Sequence, residues 1–271
     1  MGTISKTINV TGNSLMKNQD TSVEITPNEL GQIRFFVKNS TEPVIAHVDN
    51  LVSTDHCVTI GNKKKDKVML IEHFMAACAF CGIDSIDVHI SNYELPILDG
   101  SSLEWVKLFR SAGIKKSKQK FYTVSEPVYY LNGKTSLIVV PDKELYISYS
   151  VNYDHPDLNN RWVCFNHKVK EEEIIGARTF GYLKDLKKYQ LLGFARGVTY
   201  DNTVGLKDVG YTTELRSAYE PAKHKILDLI GDFNLTGFNP LNFKAQIIVK
   251  EAGHAVHGIV ARELKDKLVE I

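Results

Sequence analysis

Hydrophobic and polar residues alternate along the first fifty residues of the chain. The runs "TSVEITPN", "GQIRFFVKN" and "PVIAHVDNLV" follow this pattern and are separated by Asn, Gly and Pro. Successive side chains of a strand point to opposite faces, so these runs predict short β-strands. A helical pattern follows in "MLIEHFMAACAFCG", which Gly82 ends, and "SIDVHIS" alternates again as a strand. "LPILDGSSLEWVKLFRSAG" predicts a turn and a helix capped by Ser101 or Ser102.

A second unit begins after the polar, basic stretch 112–120, "AGIKKSKQK", which we interpret as a linker. Three runs rich in Val, Ile and Tyr, "KFYTVSEPVYYL", "TSLIVVPD" and "ELYISYSVNY", predict strands. A helical segment is predicted around 171–192, followed by the loop "GFARGVTYDNTVGL" and the helix "PAKHKILDLIGD". "FKAQIIVK" then predicts a strand, and "HAVHGIVARELKDKLVEI" predicts the last helix.

The two halves share one order of elements: several strands, a helix with a histidine, a loop with glycine, a strand and a final helix. This order predicts an α+β protein with two domains, residues 1–114 and residues 120–271. Two such layers packed face to face would place both histidine-bearing helices at their junction. We expect a site built from both halves to lie there.

Composition and charge exclude several classes of protein. The 271 residues are 43% hydrophobic and 24% charged, and 33 basic against 32 acidic residues leave a net charge of +1. These values are typical of a globular protein and argue against nucleic acid or a membrane surface as partner. No apolar run approaches about 18 residues, and the N-terminus lacks the pattern of a signal peptide. We therefore expect a cytoplasmic protein without an integral membrane segment, and a monomer.

The four cysteines do not indicate a disulfide framework in a chain of this length. Cys78 and Cys81 form a C-x-x-C pair, which in other settings binds zinc or serves redox chemistry. They lie in the apolar helical run "FMAACAFCG", and a second pair does not occur in the sequence. We interpret them as small buried side chains of a helix.

Three polar residues in the helix "PAKHKILDLIGD" are spaced for one helical face. His224, Asp228 and Asp232 lie four residues apart, and side chains at i and i+4 can reach one metal ion. Catalytic zinc needs a third protein ligand, for which "MLIEHFM" offers His73, a good ligand when neutral. Glu72 beside it can act as a general base on water. This set predicts a zinc hydrolase.

Each of these pieces has a simpler alternative. A pair such as His224 and Asp228 often forms only a hydrogen bond that supports the helix. The dipeptide Glu72-His73 alone is more often a surface pair. Both pairs, however, lie on strongly apolar helices, and burial of charge is costly unless the charge is paired or bound to metal.

Two further residues of the same helix can extend the site. Lys225 near a polarised carbonyl can stabilise an oxyanion, and Asp232 can hold an imidazolium or the lysine in place. Lys225 alone is more simply a solvent-facing residue of the helix.

Other histidines offer candidates for proton transfer and substrate binding. His254 follows the strand "AQIIVKEAG" at the start of the last helix, a position suited to a general acid. His257 is interpreted as an ordinary helix residue. The loop "STDHCV" contains His56 and Cys57, which we expect to line a cleft for substrate.

Taken together, these motifs resemble one family. "IEHFMAAC", "PILDGS", "ARTFGYLKD", "KHKILDLIGD" and "GHA" occur in the order found in the UDP-3-O-acyl-N-acetylglucosamine deacetylases. The similarity runs from about Gln32 to the C-terminus. It implies hydrolysis of the N-acetyl group of UDP-3-O-(3-hydroxyacyl)-N-acetylglucosamine with release of acetate, the committed step of lipid A biosynthesis. The fold it implies is a β-α-α-β sandwich, in which two domains of similar topology, each a helix layer on a sheet, pack helices to helices.

The resemblance also implies a role for each residue of the metal site. His73, His224 and Asp228 would bind one Zn²⁺ per chain, and Fe²⁺ suits the same ligands. Glu72 would act as general base, and His254 would stabilise the oxyanion and protonate the amine.

Further roles follow from the same resemblance. Thr179 in "ARTF" would contact the carbonyl oxygen of the substrate, opposite the metal. Lys225 and Asp232 would support the site, Asp232 by holding His254. Phe180 would contact the sugar or the acyl chain, and the segment after it would line an acyl passage.

The chain departs from the family pattern in two segments. The family has a Gly-x-Gly-x-His-x-Gly stretch near its start, where this chain reads "VTGNSLMKNQD". The family also carries Gly-Gly-Ser in the passage loop, where residues 196–199 read Arg-Gly-Val-Thr and Val198 would reshape the passage. The departures leave two alternatives: a divergent amidase that cleaves another sugar amide, and a non-catalytic binding protein of the same fold. A binding protein needs no general base, which argues against the second.

Overall fold

The computed structural model describes residues 1–38, 40–116 and 118–271. Two single residues named in the sequence predictions, Asn39 at the end of the second strand run and Ser117 in the linker, lie outside this description. The described residues form these helices: α1 (Glu72–Cys81), α2 (Leu103–Ala112), α3 (Glu171–Ile175), α4 (Leu183–Leu191), α5 (Glu220–Asn234) and α6 (His254–Leu264), with 3-10 turns at Val48–Asn50 and Pro240–Asn242.

The strands fall into two groups along the chain. The first group comprises β1 (Thr3–Ile4), β2 (Ile8–Asn13), β3 (Asp20–Pro27), β4 (Ile33–Val37), β5 (Val44–Ile45), β6 (Leu51–Ser53), β7 (Thr59–Gly61), β8 (Lys67–Met69), β9 (Ile86–Ile90) and β10 (Ile114–Lys115). The second comprises β11 (Tyr122–Val124), β12 (Val128–Asn132), β13 (Thr135–Pro141), β14 (Tyr146–Val151), β15 (Arg161–Asn166), β16 (Thr179–Tyr182), β17 (Thr203–Leu206), β18 (Ala245–Lys250) and β19 (Leu268–Glu270).

The two large sheets have the same topology. The strand order is β2-β3-β9-β4-β5 in one sheet and β12-β13-β18-β14-β15 in the other. In each sheet the last strand of the set in chain order enters between the second and the third. It pairs antiparallel with the second and parallel with the third. The predicted α+β class is therefore confirmed. The boundaries 1–114 and 120–271 stay a prediction.

Helices α1 and α5 pack directly on each other in the core. Phe74 and Met75 of α1 and Ile226 and Ile230 of α5 are buried in one hydrophobic cluster with residues from both sheets. Gly231 is the point of closest approach, because a Cβ atom built there would lie 2.0 Å from the backbone oxygen of Glu72. A side chain of any size at this position would push the two helices apart.

We expect Gly231→Ala to lower the free energy of unfolding. Overpacking commonly costs about 1–3 kcal/mol. The clashing atom here is the backbone oxygen of Glu72, which cannot move aside as the end of a flexible side chain can. Denaturant unfolding monitored by circular dichroism would measure the change. Gly181→Ala is the matched control, because its added Cβ would meet no atom within 4 Å. Equal unfolding free energies for the two variants would contradict the close packing of α1 on α5.

Two predicted elements differ from the structure in the first half and at the C-terminus. The run "PVIAHVDNLV" is split by the 3-10 turn Val48–Asn50, where the backbone N–H of Val48 donates to the carbonyl of Leu235, 2.8 Å away. The last helix ends at Leu264, and β19 beyond it pairs with β11. The strands β2, β7 and β15 were not predicted at all.

The predicted helix around 171–192 is wrong as a continuous element. Its place is taken by α3, the short strand β16 and α4, and the loop predicted after it contains β17. The reason is pairing across the chain: β16 and β17 lie parallel, with Thr179 opposite Thr203. Local periodicity carries no signal for such a pair. No helix among the described residues is both long enough and apolar enough to cross a membrane.

Candidate active site

Helices α1 and α5 bring together the three predicted metal ligands. His73 lies in the first turn of α1, and His224 and Asp228 lie one turn apart on α5. The Oδ1 atom of Asp228 lies 3.3 Å from Nε2 of His224 and 3.8 Å from Nε2 of His73. The ligand atoms of the three residues lie within 4.8 Å of one another, and all three side chains are buried.

The protonation of this group suits a divalent cation. Burial, with a smaller contribution from His224, lowers the pKa of His73 to about 3, and burial lowers the pKa of His224 against the opposing charge of Asp228, so both rings are neutral at pH 7. Nδ1 of His224 lies 2.9 Å from the carbonyl oxygen of Ala177 and donates to it. The Nε2 atom of this neutral ring therefore carries a free electron pair. Among the described residues Asp228 Oδ1 has no hydrogen-bond partner although it is buried. Two neutral imidazoles and an unsatisfied carboxylate oxygen therefore fit a bound metal ion.

Lys225 lies beside this group and pairs with Asp228. Its Nζ atom lies 2.5 Å from Asp228 Oδ2, and its side chain is only 11% exposed. The solvent-facing alternative for Lys225 is therefore wrong. Burial opposes its charge, yet Asp228 outweighs this effect and raises the pKa of Lys225 above its usual value. Burial likewise opposes the charge of Asp228, but His224 and Lys225 hold the pKa of this carboxyl well below its usual value.

Glu72 is the first residue of α1 and faces the same space. The backbone N–H of Val58 donates to its Oε2 at 3.0 Å, and Oε1 lies 3.8 Å from Nε2 of His254. Burial raises the pKa of Glu72 to about 7, against the opposing effect of His254. A carboxyl with this pKa can both accept and release a proton near neutral pH.

His254 begins α6 and is held by Asp232 of α5. Its Nδ1 lies 2.7 Å from Asp232 Oδ2, and its Nε2 lies 3.8 Å from Asp228 Oδ2. Burial disfavours the charged ring, but Asp232 and Asp228 outweigh burial and raise the pKa of His254 to about 9. Both carboxylates on this face of α5 thus lie in the candidate site. Asp228 belongs to the metal group, by which we mean His73, His224 and Asp228, and Asp232 holds His254.

Two residues of this region were not predicted from the sequence. His257 was interpreted as an ordinary helix residue, but its Nδ1 lies 2.7 Å from the same Oδ2 of Asp232. Its Nε2 lies 2.9 Å from the hydroxyl of Tyr149 in β14. The spacing of three residues between His254 and His257, less than one turn apart on α6, is the signal that could have suggested a shared partner.

The segment "ARTF" is anchored beside the metal group. Glu220, which is fully buried, accepts from the backbone N–H of Arg178 at 3.0 Å and from its Nε at 2.8 Å. The backbone N–H of Thr179 donates to the carbonyl of Gly100 at 2.7 Å. These bonds hold Ala177 on His224 and Thr179 in the wall of a neighbouring cavity.

The cavity has a volume of about 470 Å³, and its walls are mainly apolar. Thr179, Phe180, Val198 and His56 line it, and the Phe180 ring lies 6.1 Å from the His224 ring. None of the three predicted metal ligands lines the cavity, but Phe180 in its wall lies next to His224. Cys57, predicted to contact substrate with His56, does not line the cavity and is fully buried behind its wall, in a cluster with Leu15, Met16, Leu70 and Ile97.

The two departures from the family pattern lie against each other in the wall of this cavity. The backbone N–H of Gly197 donates to the carbonyl of Leu15 at 2.9 Å, and a Cβ at Gly197 would lie 2.2 Å from the Ser14 carbonyl oxygen. Met16 and Val198 both line the cavity. The two altered segments thus form one changed surface. The close contact between the two segments limits which side chains each of them can carry.

Relatives of the chain carry one name. The profile of the LpxC family, described as UDP-3-O-acyl N-acetylglycosamine deacetylase, matches residues 1–266. The UDP-3-O-acyl-N-acetylglucosamine deacetylase of Leptospira biflexa is 37% identical over 214 residues, which cover 77% of this chain and 70% of the relative. The enzyme of that name from Geotalea uraniireducens is 32% identical over 97% of this chain and 87% of its own length. The one from Trichormus variabilis is 31% identical over 97% of both chains. The resemblance read from the motifs is therefore confirmed, and the chain belongs to the LpxC family of UDP-3-O-acyl-N-acetylglucosamine deacetylases.

Proposed function

We propose that this protein hydrolyses the N-acetyl group of UDP-3-O-(3-hydroxyacyl)-N-acetylglucosamine, with one zinc ion held by His73, His224 and Asp228. One observation carries the proposal. A buried group of two neutral imidazoles and a carboxylate lies beside both an ionisable carboxyl and a cationic imidazole, and an apolar cavity adjoins it at Phe180. An amide hydrolase needs these groups together, whereas a binding protein does not need the acid and the base.

The metal supplies Lewis acidity when bound, since zinc polarises a carbonyl oxygen and makes water easier to deprotonate. Glu72 is the base in this proposal. The N–H of Val58 holds one of its oxygens, so the other, Oε1, is directed toward His254 and is free to take a proton from the attacking water. Because the side chain is buried, its negative charge is little screened and its basicity is high.

His254 is the proposed acid. Asp232 holds its Nδ1, so the proton to be delivered lies on Nε2, the nitrogen that is 3.8 Å from Glu72. The positive ring stabilises the oxyanion that forms at the attacked carbonyl. Its Nε2 proton then goes to the departing amine as the C–N bond breaks, and the products are acetate and the free amine.

Substrate contacts extend from this centre into the cavity. Thr179 lines the cavity next to Phe180, and its hydroxyl is the proposed donor to the substrate carbonyl oxygen. The apolar walls fit the 3-O-acyl chain, which would leave the polar UDP group toward solvent. Phe180 contacts the acyl chain or the sugar in this arrangement.

The test is release of acetate from UDP-3-O-(3-hydroxyacyl)-N-acetylglucosamine by purified protein of measured metal content. We expect one metal per chain, loss of activity with a chelator, and recovery when zinc is added back. Recovery with iron but not with zinc would identify iron as the metal and would leave the proposed reaction unchanged. Absence of acetate release by protein that holds one metal per chain would contradict the substrate.

A second candidate is hydrolysis of a different sugar amide by the same residues. It is favoured by the changed cavity wall, where Met16 and Val198 lie in the two segments that depart from the family. The same assay, run with a panel of N-acetylated sugars with and without the acyl chain, distinguishes the two. The second candidate requires that a sugar without the UDP or acyl group be hydrolysed faster than UDP-3-O-(3-hydroxyacyl)-N-acetylglucosamine.

The pH dependence of kcat/KM should be bell-shaped. Glu72 must be deprotonated, and its pKa of about 7 predicts that activity falls as pH drops below this value. His254 must be protonated, and its pKa of about 9 predicts that activity falls as pH rises above that value. The charge of a bound cation can move both limbs to lower pH. Rates measured from about pH 5 to about pH 10 would show the two limbs. An alkaline limb that survives unchanged in His254→Gln would contradict the assignment of that limb.

A further inference from the structure

A second group of buried residues with metal-ligand chemistry lies beside the first. Asp232, His254 and His257 have their nitrogen and oxygen atoms within 4.8 Å of one another. Nδ1 of His254 and Nδ1 of His257 both lie 2.7 Å from the same oxygen, Oδ2 of Asp232. This is the separation of a hydrogen-bonded pair, and it leaves no space for an ion between either ring and the carboxylate. The group is therefore a hydrogen-bonded relay.

The hydrogen atoms of this relay can be assigned. A carboxylate can only accept, so Nδ1 of both rings must carry hydrogen. Among the described residues the other oxygen of Asp232, Oδ1, has no hydrogen-bond partner. The carboxylate is thus held through Oδ2 alone, by two N–H donors from one face of α6.

Tyr149 lies at the outer end of the relay. With hydrogen on Nδ1, the neutral ring of His257 has a bare Nε2, and the Tyr149 hydroxyl lies 2.9 Å from that nitrogen. The hydroxyl donates to the carbonyl oxygen of Ala252, two residues before His254, at 2.9 Å, and this is its only hydrogen. Tyr149 is fully buried in the sheet, so its position is set by the core of the second half. The Asp232 carboxylate, which can only accept, thus sets the hydrogen of His257 on Nδ1, and the Tyr149 hydroxyl contacts the opposite edge of the ring.

We propose that His257 is a positioning residue for deacetylation, which fixes the Asp232 carboxylate and through it the orientation of His254, while Tyr149 holds the far edge of the His257 ring. This inference rests on the proposed function, because His254 is the proposed general acid of the deacetylation. The line of contacts runs from Tyr149 through His257 and Asp232 to His254. It ends at Nε2 of His254, which lies 3.8 Å from Glu72.

The kinetic signature of this role differs from that of substrate binding. The side chain of His257 has 0% exposure, so it cannot touch a substrate. Its loss leaves Asp232 with a single donor and an otherwise unheld carboxylate, so that His254 samples orientations that do not deliver a proton. The effect should therefore fall on kcat, while KM stays unchanged.

Two replacements at His257 separate hydrogen bonding from packing. Asparagine places an N–H group where Nδ1 lies and can still donate to Asp232, whereas leucine fills the space without a donor. We expect His257→Leu to lower kcat about 10- to 100-fold at unchanged KM and metal content, the usual range for loss of such a supporting hydrogen bond. His257→Asn should retain most of the activity. Equal loss in both variants, or a change in KM without a change in kcat, would overturn the proposal.

A measurement without substrate keeps the proposal independent of the proposed function. Nitrogen NMR of the zinc-loaded protein with labelled histidine should show His257 protonated at Nδ1 and bare at Nε2. Tyr149→Phe, which removes only the hydroxyl, should shift the Nε2 resonance and leave the fold intact. A His257 ring protonated at Nε2 and bare at Nδ1, or a second equivalent of metal that is lost in His257→Leu, would overturn the relay. Wild-type protein that shows the expected tautomer but releases no acetate would refute the substrate and leave the relay standing.

Discussion

Glu72→Gln should abolish most of the deacetylase activity while the protein keeps its metal. The substitution preserves the shape of the side chain and its bond to the N–H of Val58, because the amide oxygen can still accept. It removes the basic oxygen that faces His254 at 3.8 Å. Loss of a general base costs about 10²- to 10⁴-fold in rate, so kcat should fall by that factor. Steady-state kinetics together with metal analysis would measure both quantities.

Glu94→Gln is the matched control for this substitution. Glu94 is also a buried carboxyl, 5% exposed, and accepts a backbone hydrogen bond from Met16 at 2.7 Å, but it lies outside the metal group. We expect Glu94→Gln to keep most of the activity. A Glu72→Gln variant with one metal per chain and near wild-type kcat would remove Glu72 from the mechanism.

Asp228→Ala should lose both metal and stability, for separate reasons. The variant lacks one of three ligands, so zinc occupancy and activity should fall together. It also leaves the largely buried ammonium of Lys225 without the carboxylate that lies 2.5 Å away. Breaking a buried ion pair on one side costs about 3–5 kcal/mol, and this cost should appear in chelated protein, where metal binding no longer contributes.

The double variant Asp228→Ala/Lys225→Met separates the two effects. Methionine has a similar volume without the charge, so the double variant should recover most of the unfolding free energy of chelated wild type while zinc binding stays lost. Urea unfolding of the chelated proteins and zinc titration of the same samples would measure the two effects. Zinc bound by Asp228→Ala as tightly as by wild type would contradict the ligand set.

Much of the fold could be predicted from local pattern. The helix α1 ends at Gly82, which has a left-handed backbone with φ of 64°, as the sequence suggested. The helix over 220–234 and the strands at 20–27 and 245–250 also follow directly from periodicity. The prediction failed around 171–192, where the short strand β16 pairs in parallel with β17, whose residues lie 24 positions further along the chain. Local pattern does not encode such pairing, so a continuous helix was predicted.

The candidate site divides in the same way. The spacing of His224, Asp228 and Asp232 already implies one face of a helix, because the α-helical repeat alone fixes their directions. The motif order indicated the family, which the relatives confirm. The sequence did not predict which side chains face one another across the site. Lys225 occupies a position that, on spacing alone, suits solvent, and His257 is separated from Tyr149 by more than a hundred residues.

Only the packing of the two layers places these residues. The approach of α1 to α5 at Gly231 sets how near Glu72 lies to the predicted metal ligands of α5, and Tyr149 and Tyr153 of the second half lie near Lys225. The sheet of the second half sets Tyr149 against α6 and so decides the partner of His257. Side-chain periodicity depends on neighbours within one turn or one pleat, and the sequence therefore determines elements, faces and candidate ligands. Burial, tautomers and pKa values depend on atoms brought together from distant parts of the chain, and for these the tertiary structure is decisive.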